Sequence, residues 1–164
     1  MIPFYYSNKN SIQLIKETYF GEASVRRDGS SRFGIKSRYG NFWSFGAGWN
    51  IAKESFFEVK QINTLKLRTS LGTSGNFNIG NYQSLGLYGF TSYNGQPAAR
   101  PIQIANPNLT WENNFNFDIG LDFEAFDSRL TATIEYYNRK TFDLLYDVPK
   151  SFTTGFQSRL ENVG

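Results

Sequence analysis

Asp118 and Asp122 lie four residues apart in a stretch of strictly alternating polarity. Alternation is the signature of a β-strand, whose side chains repeat every second residue, so both carboxylates project from one face. A carboxylate pair is the chemistry of glycoside hydrolysis. Four residues of strand rise, however, separate the two groups by roughly 13 Å, beyond the about 5–5.5 Å of a retaining pair and the about 6.5–9.5 Å of an inverting one. The chain has no Cys and no His, which removes thiol catalysis, His-dependent dyads and ordinary zinc sites. No catalytic, cofactor or metal site is expected. Lys and Arg are scattered along a chain of net charge +3, and the pI is near 9.1. Scattered cations do not make a nucleic-acid interface. The charged residues that fall inside strands therefore read as side chains of a water-facing surface.

The element that holds the carboxylates runs over 110–143. Phe115, Phe117, Ile119, Leu121 and Phe123 fall on one face of its first strand, and Asn114, Asn116, Asp118, Gly120 and Asp122 on the other. A short turn over 125–129 leads to a second strand. There Leu130, Ala132, Ile134 and Tyr136 oppose Thr131, Thr133, Glu135 and Tyr137. Globular strands average about five or six residues; these reach about ten, the length a tilted strand needs to cross a bilayer. Phe (16) and Tyr (10) dominate the aromatics, which favours strands over helices. The mean hydropathy of −0.45 and the lack of a long apolar run exclude a transmembrane helix but suit strands with one wet face.

Further strands are predicted over 17–27, 42–51, 64–72 and 157–164. In the first, Phe20 falls on the polar side and breaks the alternation. In the second, Trp43, Phe45, Ala47 and Trp49 oppose Ser44, Gly46, Gly48 and Asn50, and the two tryptophans sit about 20 Å apart by strand rise, near the spacing of two aromatic girdles. In the third, Leu65, Leu67, Thr69 and Leu71 oppose Lys66, Arg68 and Ser70. Asp28–Gly29 reads as a turn pair, and so does 7–10 (SNKN). Residues 1–16 are set apart as a lead-in to a barrel segment over 17–164, with Phe4, Tyr5 and Tyr6 placed at a strand end. Met1-Ile2-Pro3-Phe4 lacks a secretory leader, so for an exported protein the true N-terminus is expected to lie outside this sequence. Residues 73–109, with their Gly, Asn and Pro clusters, and 144–156, with Pro149 and Gly155 as breakers, read as long loops. Tyr88, Phe90 and Tyr93 in the first of these are candidate contacts for a sugar or a partner, or else members of a short hairpin that packs on itself. Loops over 28–41, 73–109 and 144–156 are long, 125–129 is short and 53–63 intermediate. That alternation is the up-and-down pattern of an outer-membrane barrel.

Residues 26–34 (RRDGSSRFG), 38–49 (RYGNFWSFGAGW), 62–76 (INTLKLRTSLGTSGN), 106–112 (NPNLTWE), 117–123 (FDIGLDF), 136–143 (YYNRKTFD) and 161–164 (ENVG) carry a resemblance. Together they resemble, in order, the SusC/RagA family of TonB-dependent outer-membrane transporters of Bacteroidetes. The resemblance implies an all-β, antiparallel up-and-down transmembrane barrel of about 22 strands around a plug, of which about six strands are legible here. It implies import of oligosaccharides or peptides, a SusD-like surface lipoprotein as partner, and energy passed by TonB through the plug, which is not matched in this sequence. In that reading Lys66, Arg68, Asn114, Asn116, Asp118 and Asp122 face the lumen, and Trp43, Phe45, Trp49, Phe115, Phe117 and Phe123 face outer-membrane lipid. About six strands leave two open edges, which lipid does not tolerate, so a longer barrel is expected to complete them. The alternative is a soluble carbohydrate-binding β-sandwich with the apolar faces packed on each other.

Overall fold

The computed structural model describes residues 5–164; the expectations placed on Phe4 and on the leader lie outside them. Six long strands form one antiparallel sheet in the order β1 (Tyr5–Ile15), β2 (Tyr19–Ser30), β3 (Tyr39–Asn50), β4 (Ile62–Asn76), β7 (Glu112–Ala125) and β8 (Leu130–Phe142). Between β4 and β7 the chain leaves the sheet and folds a separate hairpin, β5 (Leu87–Tyr93) and β6 (Gln96–Gln103). After β8, a second separate hairpin pairs β9 (Leu144–Pro149) with β10 (Ser158–Val163). The sheet is an up-and-down meander, as the alternation predicted, with β1 and β8 as its edges.

Several sequence expectations change. The turn placed at 7–10 does not form: β1 runs through it, paired from Tyr5–Ser30 to Ile15–Phe20. Asp28–Gly29 is not a turn either. It continues β2, with Asp28 between Ser7 and Gly40. Turn propensity in a dipeptide yields to ladder bonds available on both sides. Residues 144–156 are not one loop, because 144–149 is a strand. The strand at 157–164 exists, but it pairs with β9 rather than joining the wall. Six wall strands remain because β1 takes the place given to β10. The connection over 31–38 is also shorter than the one over 51–61, so the difference between the two ends of the sheet rests on 77–111 and on the β9–β10 hairpin.

No second sheet covers the apolar face among the described residues: Ile12, Leu14, Val25, Trp43, Phe45, Ile134 and Tyr136 are all exposed. The sandwich alternative required that face to be packed, and the fold does not supply the packing. The buried apolar core lies instead at the long-connection end. Phe33, Phe42, Leu109 and Trp111 form it, with Phe77, Ile79, Leu145 and Leu160 packed around them. The connections over 31–38 and 77–111, the start of β3 and the β9–β10 hairpin thus share one core.

Candidate functional site

Register carries a single polar face across all six strands. Gln13 is opposite Glu22, Glu22 opposite Gly46, Gly46 opposite Ser70, Ser70 opposite Asp118 and Asp118 opposite Tyr137. Lys66, Arg68, Asn114, Asn116, Asp118 and Asp122 all lie on this face. Arg68 is its centre. Its Nε donates to Asp122 at 3.2 Å and its Nη1 to Glu135 at 3.0 Å, while Thr133 donates to the other Asp122 oxygen at 3.1 Å. Asp118 accepts from Ser70 at 3.3 Å. Nearer the long connections, Asn114 Oδ1 collects Arg139 at 3.2 and 3.1 Å and Thr141 at 2.7 Å. The two aspartates of the glycosidase comparison are thus held by separate partners within a hydrogen-bonded surface.

Glycines make room on that face. Phe20, the residue that broke the alternation, does lie on the polar side. A Cβ on Gly48, directly opposite, would fall 1.8 Å from its ring. The Lys66 ammonium sits 4.4 Å from the same ring centroid, a cation–π contact that makes an aromatic acceptable among charges. Gly120 leaves space for the Arg68 guanidinium, 2.9 Å from where its Cβ would stand. Between these groups lies an open concavity of about 490 Å³, lined by Gln13, Phe20, Glu22, Arg68, Ser70 and Asp118 among others.

The opposite face carries Trp43, Phe45, Trp49, Phe115, Phe117 and Phe123. The Trp43 and Phe115 rings lie 6.5 Å apart at one end. At the other end Tyr19 and Trp49 stack at 6.4 Å. There Glu54, in the connection after β3, accepts from the Tyr19 hydroxyl and from Trp49 Nε1, the latter at 2.8 Å. Those two bonds, the tyrosine's first, hold the Glu54 carboxyl below its usual range.

The loop aromatics do not form one platform. Tyr88 and Phe90 share a hairpin face with Pro101 and Ala99, whereas Tyr93 is on the other face. All three are exposed, Phe90 at 94%. Sequence reasoning missed the hub beneath them. Asn106 donates to the Leu160 carbonyl at 2.8 Å, Glu112 accepts the Leu145 amide at 3.2 Å, and Asn162 bonds both Thr110 and Asp143. The motifs NPNLTWE and ENVG were visible as words. Their use, tying loops to one another, was not.

Comparison with known proteins follows the same boundaries. The family model for the TonB dependent receptor-like β-barrel matches residues 9–164. The chain is 41% identical over 152 residues to TonB-dependent receptor P39 of Formosa agariphila, covering 91% of this chain and 14% of that protein. It is 37% identical over 160 residues to TonB-dependent receptor SusC of Bacteroides thetaiotaomicron, covering 89% and 16%. The chain belongs to the SusC/RagA family of TonB-dependent receptors. Among solved structures, it superposes on the RagAB peptide transporter with a TM-score of 0.91 at 35% identity, over 98% of this chain and 18% of that one. This SusC/RagA chain therefore spans less than a fifth of the length of the relatives it matches. The family is one of outer-membrane transporters rather than of enzymes, in keeping with a polar face whose carboxylates are tied into a network.

Proposed function

We propose that the six-stranded sheet is part of the barrel wall of an outer-membrane, TonB-dependent transporter that imports oligosaccharides or peptides. Lys66, Arg68, Asn114, Asn116, Asp118 and Asp122 line its lumen. Trp43, Phe45, Trp49, Phe115, Phe117 and Phe123 face lipid. The observation that carries this reading is the register: one face is mainly polar and the other mainly apolar through six neighbouring strands. A closed wall removes the open edges at β1 and β8, as a bilayer demands. A SusD-like lipoprotein sits over the long-connection end, where Tyr88, Phe90 and Tyr93 are offered to partner or substrate. Energy from TonB enters through a plug inside the barrel and not through these strands.

The test is a nitroxide scan along β3 and β4 of the transporter that carries them, in bilayers. Labels at 43, 45, 67 and 71 should be relaxed by oxygen dissolved in lipid, and labels at 44, 68 and 70 by a water-soluble nickel complex. Loss of the two-residue alternation overturns the wall assignment. Uptake assays with peptides and with oligosaccharides then separate the two substrate classes.

A further inference from the structure

The β5–β6 hairpin has two edges, and they differ in chemistry. Each strand of a two-stranded sheet leaves one side of its main chain free, and this hairpin joins no other strand among the described residues. Its prolines show which groups point outward. Proline has no N–H to exchange, so Tyr88–Pro101 and Ser92–Pro97 are pairs without mutual hydrogen bonds. Phe90–Ala99, midway between them in the same register, is of the same kind. The amides and carbonyls of Tyr88, Phe90 and Ser92 therefore turn away from β6, one set every two residues or about 6.8 Å along the strand. None of them makes a turn or loop bond among the described residues. On β6 the outward positions are Pro97, Ala99 and Pro101, so most of its outward donors are missing, and Arg100 adds a charge. Proline and charge are devices that keep a free edge from pairing. The β5 strand (LYGFTSY) has neither.

A ligand for that edge must repeat donors and acceptors at strand spacing, which is what another polypeptide strand does. Tyr88 and Phe90 are exposed on the adjoining face. An uncharged edge beside exposed aromatics pairs at random when it stays open, which favours a resident protein over passing cargo. We infer that the outer edge of β5 is completed by an extended strand of the surface lipoprotein, hydrogen-bonded to the main chain of Tyr88, Phe90 and Ser92. Apolar side chains at alternate positions of that strand extend the Tyr88–Phe90 face, so edge and face act together. The inference rests on the lipoprotein placed over this end above, and it adds the mode of attachment.

Residue-resolved amide exchange on the purified transporter, with and without its lipoprotein, reads the edge directly. In the transporter alone, Gly89, Thr91 and Tyr93, which pair with Arg100, Ala98 and Gln96, should exchange slowly, and Tyr88, Phe90 and Ser92 fast. In the complex all of them should be slow. Ser92→Pro removes one outward N–H and repeats the residue that β6 carries opposite it, so the ladder amides should stay protected. Its affinity for the lipoprotein should fall about two- to tenfold, the loss of one hydrogen bond. Ser92→Ala keeps the N–H and should bind as the wild type does. Edge amides that stay fast in the complex, or equal binding by the proline and alanine variants, overturn the strand addition. Protection that appears only when peptide cargo is supplied overturns the lipoprotein as occupant. A transporter that binds no lipoprotein sinks the partner reading beneath the inference, whereas one that binds it with the edge amides still fast sinks the strand addition alone.

Discussion

Asn162 and Thr110 bind each other as neighbouring strands would: Asn162 Oδ1 accepts the Thr110 amide and Asn162 Nδ2 donates to the Thr110 carbonyl, both at 2.9 Å. The same Nδ2 also donates to the Asp143 carbonyl at 2.9 Å. One side chain thus ties the β9–β10 hairpin to the approach of β7 and to the end of β8. Asn162→Ala removes all three bonds and leaves part-buried backbone groups without partners, a cost of about 1–3 kcal/mol. Asn162→Asp keeps the acceptor and turns the donor into a second acceptor facing two carbonyls, so it should be no better. Protease resistance of 143–163 in the purified transporter checks this; resistance equal to wild type would show that the bonds do not hold the hairpin.

Trp111 fills the centre of the loop core, 4.9 Å from the Phe33 ring and 5.6 Å from that of Phe42. Its Nε1 is buried without a hydrogen-bond partner among the described residues. Trp111→Ala should cost about 3–5 kcal/mol through the cavity it leaves. Trp111→Phe keeps an aromatic ring and removes the orphan donor, so it should cost about 1.5 kcal/mol or less. Thermal unfolding monitored by near-ultraviolet circular dichroism ranks the two; equal losses would mean that the indole nitrogen has a partner after all.

The wall was legible in the sequence because a half-wet strand writes its two faces as alternating residues, as in Phe115 to Phe123. Even the exception, Phe20, was correctly placed on the polar side. The two-residue period does not encode which strand pairs with which, so the sequence suggests a turn at 7–10, inside β1, and a wall strand where β10 lies. Asn-rich SNKN and Asp28–Gly29 carry turn chemistry that pairing on both sides overrides. The hub of Asn106, Leu109, Trp111 and Asn162 lay beyond sequence reasoning for another reason. Its contacts join the irregular backbone of 106–111 to β10, about fifty positions away, and no period in the sequence links the two.

Glu161 on β10 is gripped by Lys150 at 2.6 Å, with Arg159 at 3.5 Å. The Lys150 hydrogen bond, and then the attraction of the two cations, hold its carboxyl below the usual range. A lowered folded value means that the contact stabilises the hairpin above the ordinary glutamate range and is lost as pH falls through the lowered value. Exchange of the 144–163 amides should therefore accelerate as pH drops below about 4, after correction for the intrinsic rate. Glu161→Gln should remove that pH dependence. A variant that still shows it would assign the effect to another group.

Gly48 and Phe20 are coupled by space: the alanine Cβ that would sit 1.8 Å from the ring must push the ring off its seat beneath Lys66. Gly48→Ala should destabilise the wall by about 1–3 kcal/mol, as overpacking does. In a Phe20→Ala background the same change should be nearly silent, which gives a coupling of about 0.5–3 kcal/mol in a double-mutant cycle. Additive losses would mean that the glycine serves backbone conformation rather than the ring.

Phe90 separates function from folding. It is 94% exposed at the side of a hairpin that stands apart from the wall and the loop core, and its face is continued by Tyr88, Ala99 and Pro101. Pro97 and Pro101 lack the N–H that an added strand would pair with, so the β6 edge is poorly suited to strand addition and contact through the apolar face is favoured. Phe90→Ala removes no packing and should leave the thermal transition unchanged within about 0.5 kcal/mol. If the hairpin meets a surface lipoprotein or a substrate, the variant should lose affinity by about 1 kcal/mol or more, as a truncated aromatic anchor does. Tyr93→Ala, on the opposite hairpin face, should cost less. Surface plasmon resonance of the purified transporter against its lipoprotein, alongside uptake measured in cells, compares the two variants. Equal, undiminished binding and uptake in both would leave the hairpin without a recognition role and move the search for the contact to the Tyr82–Leu85 segment beneath it.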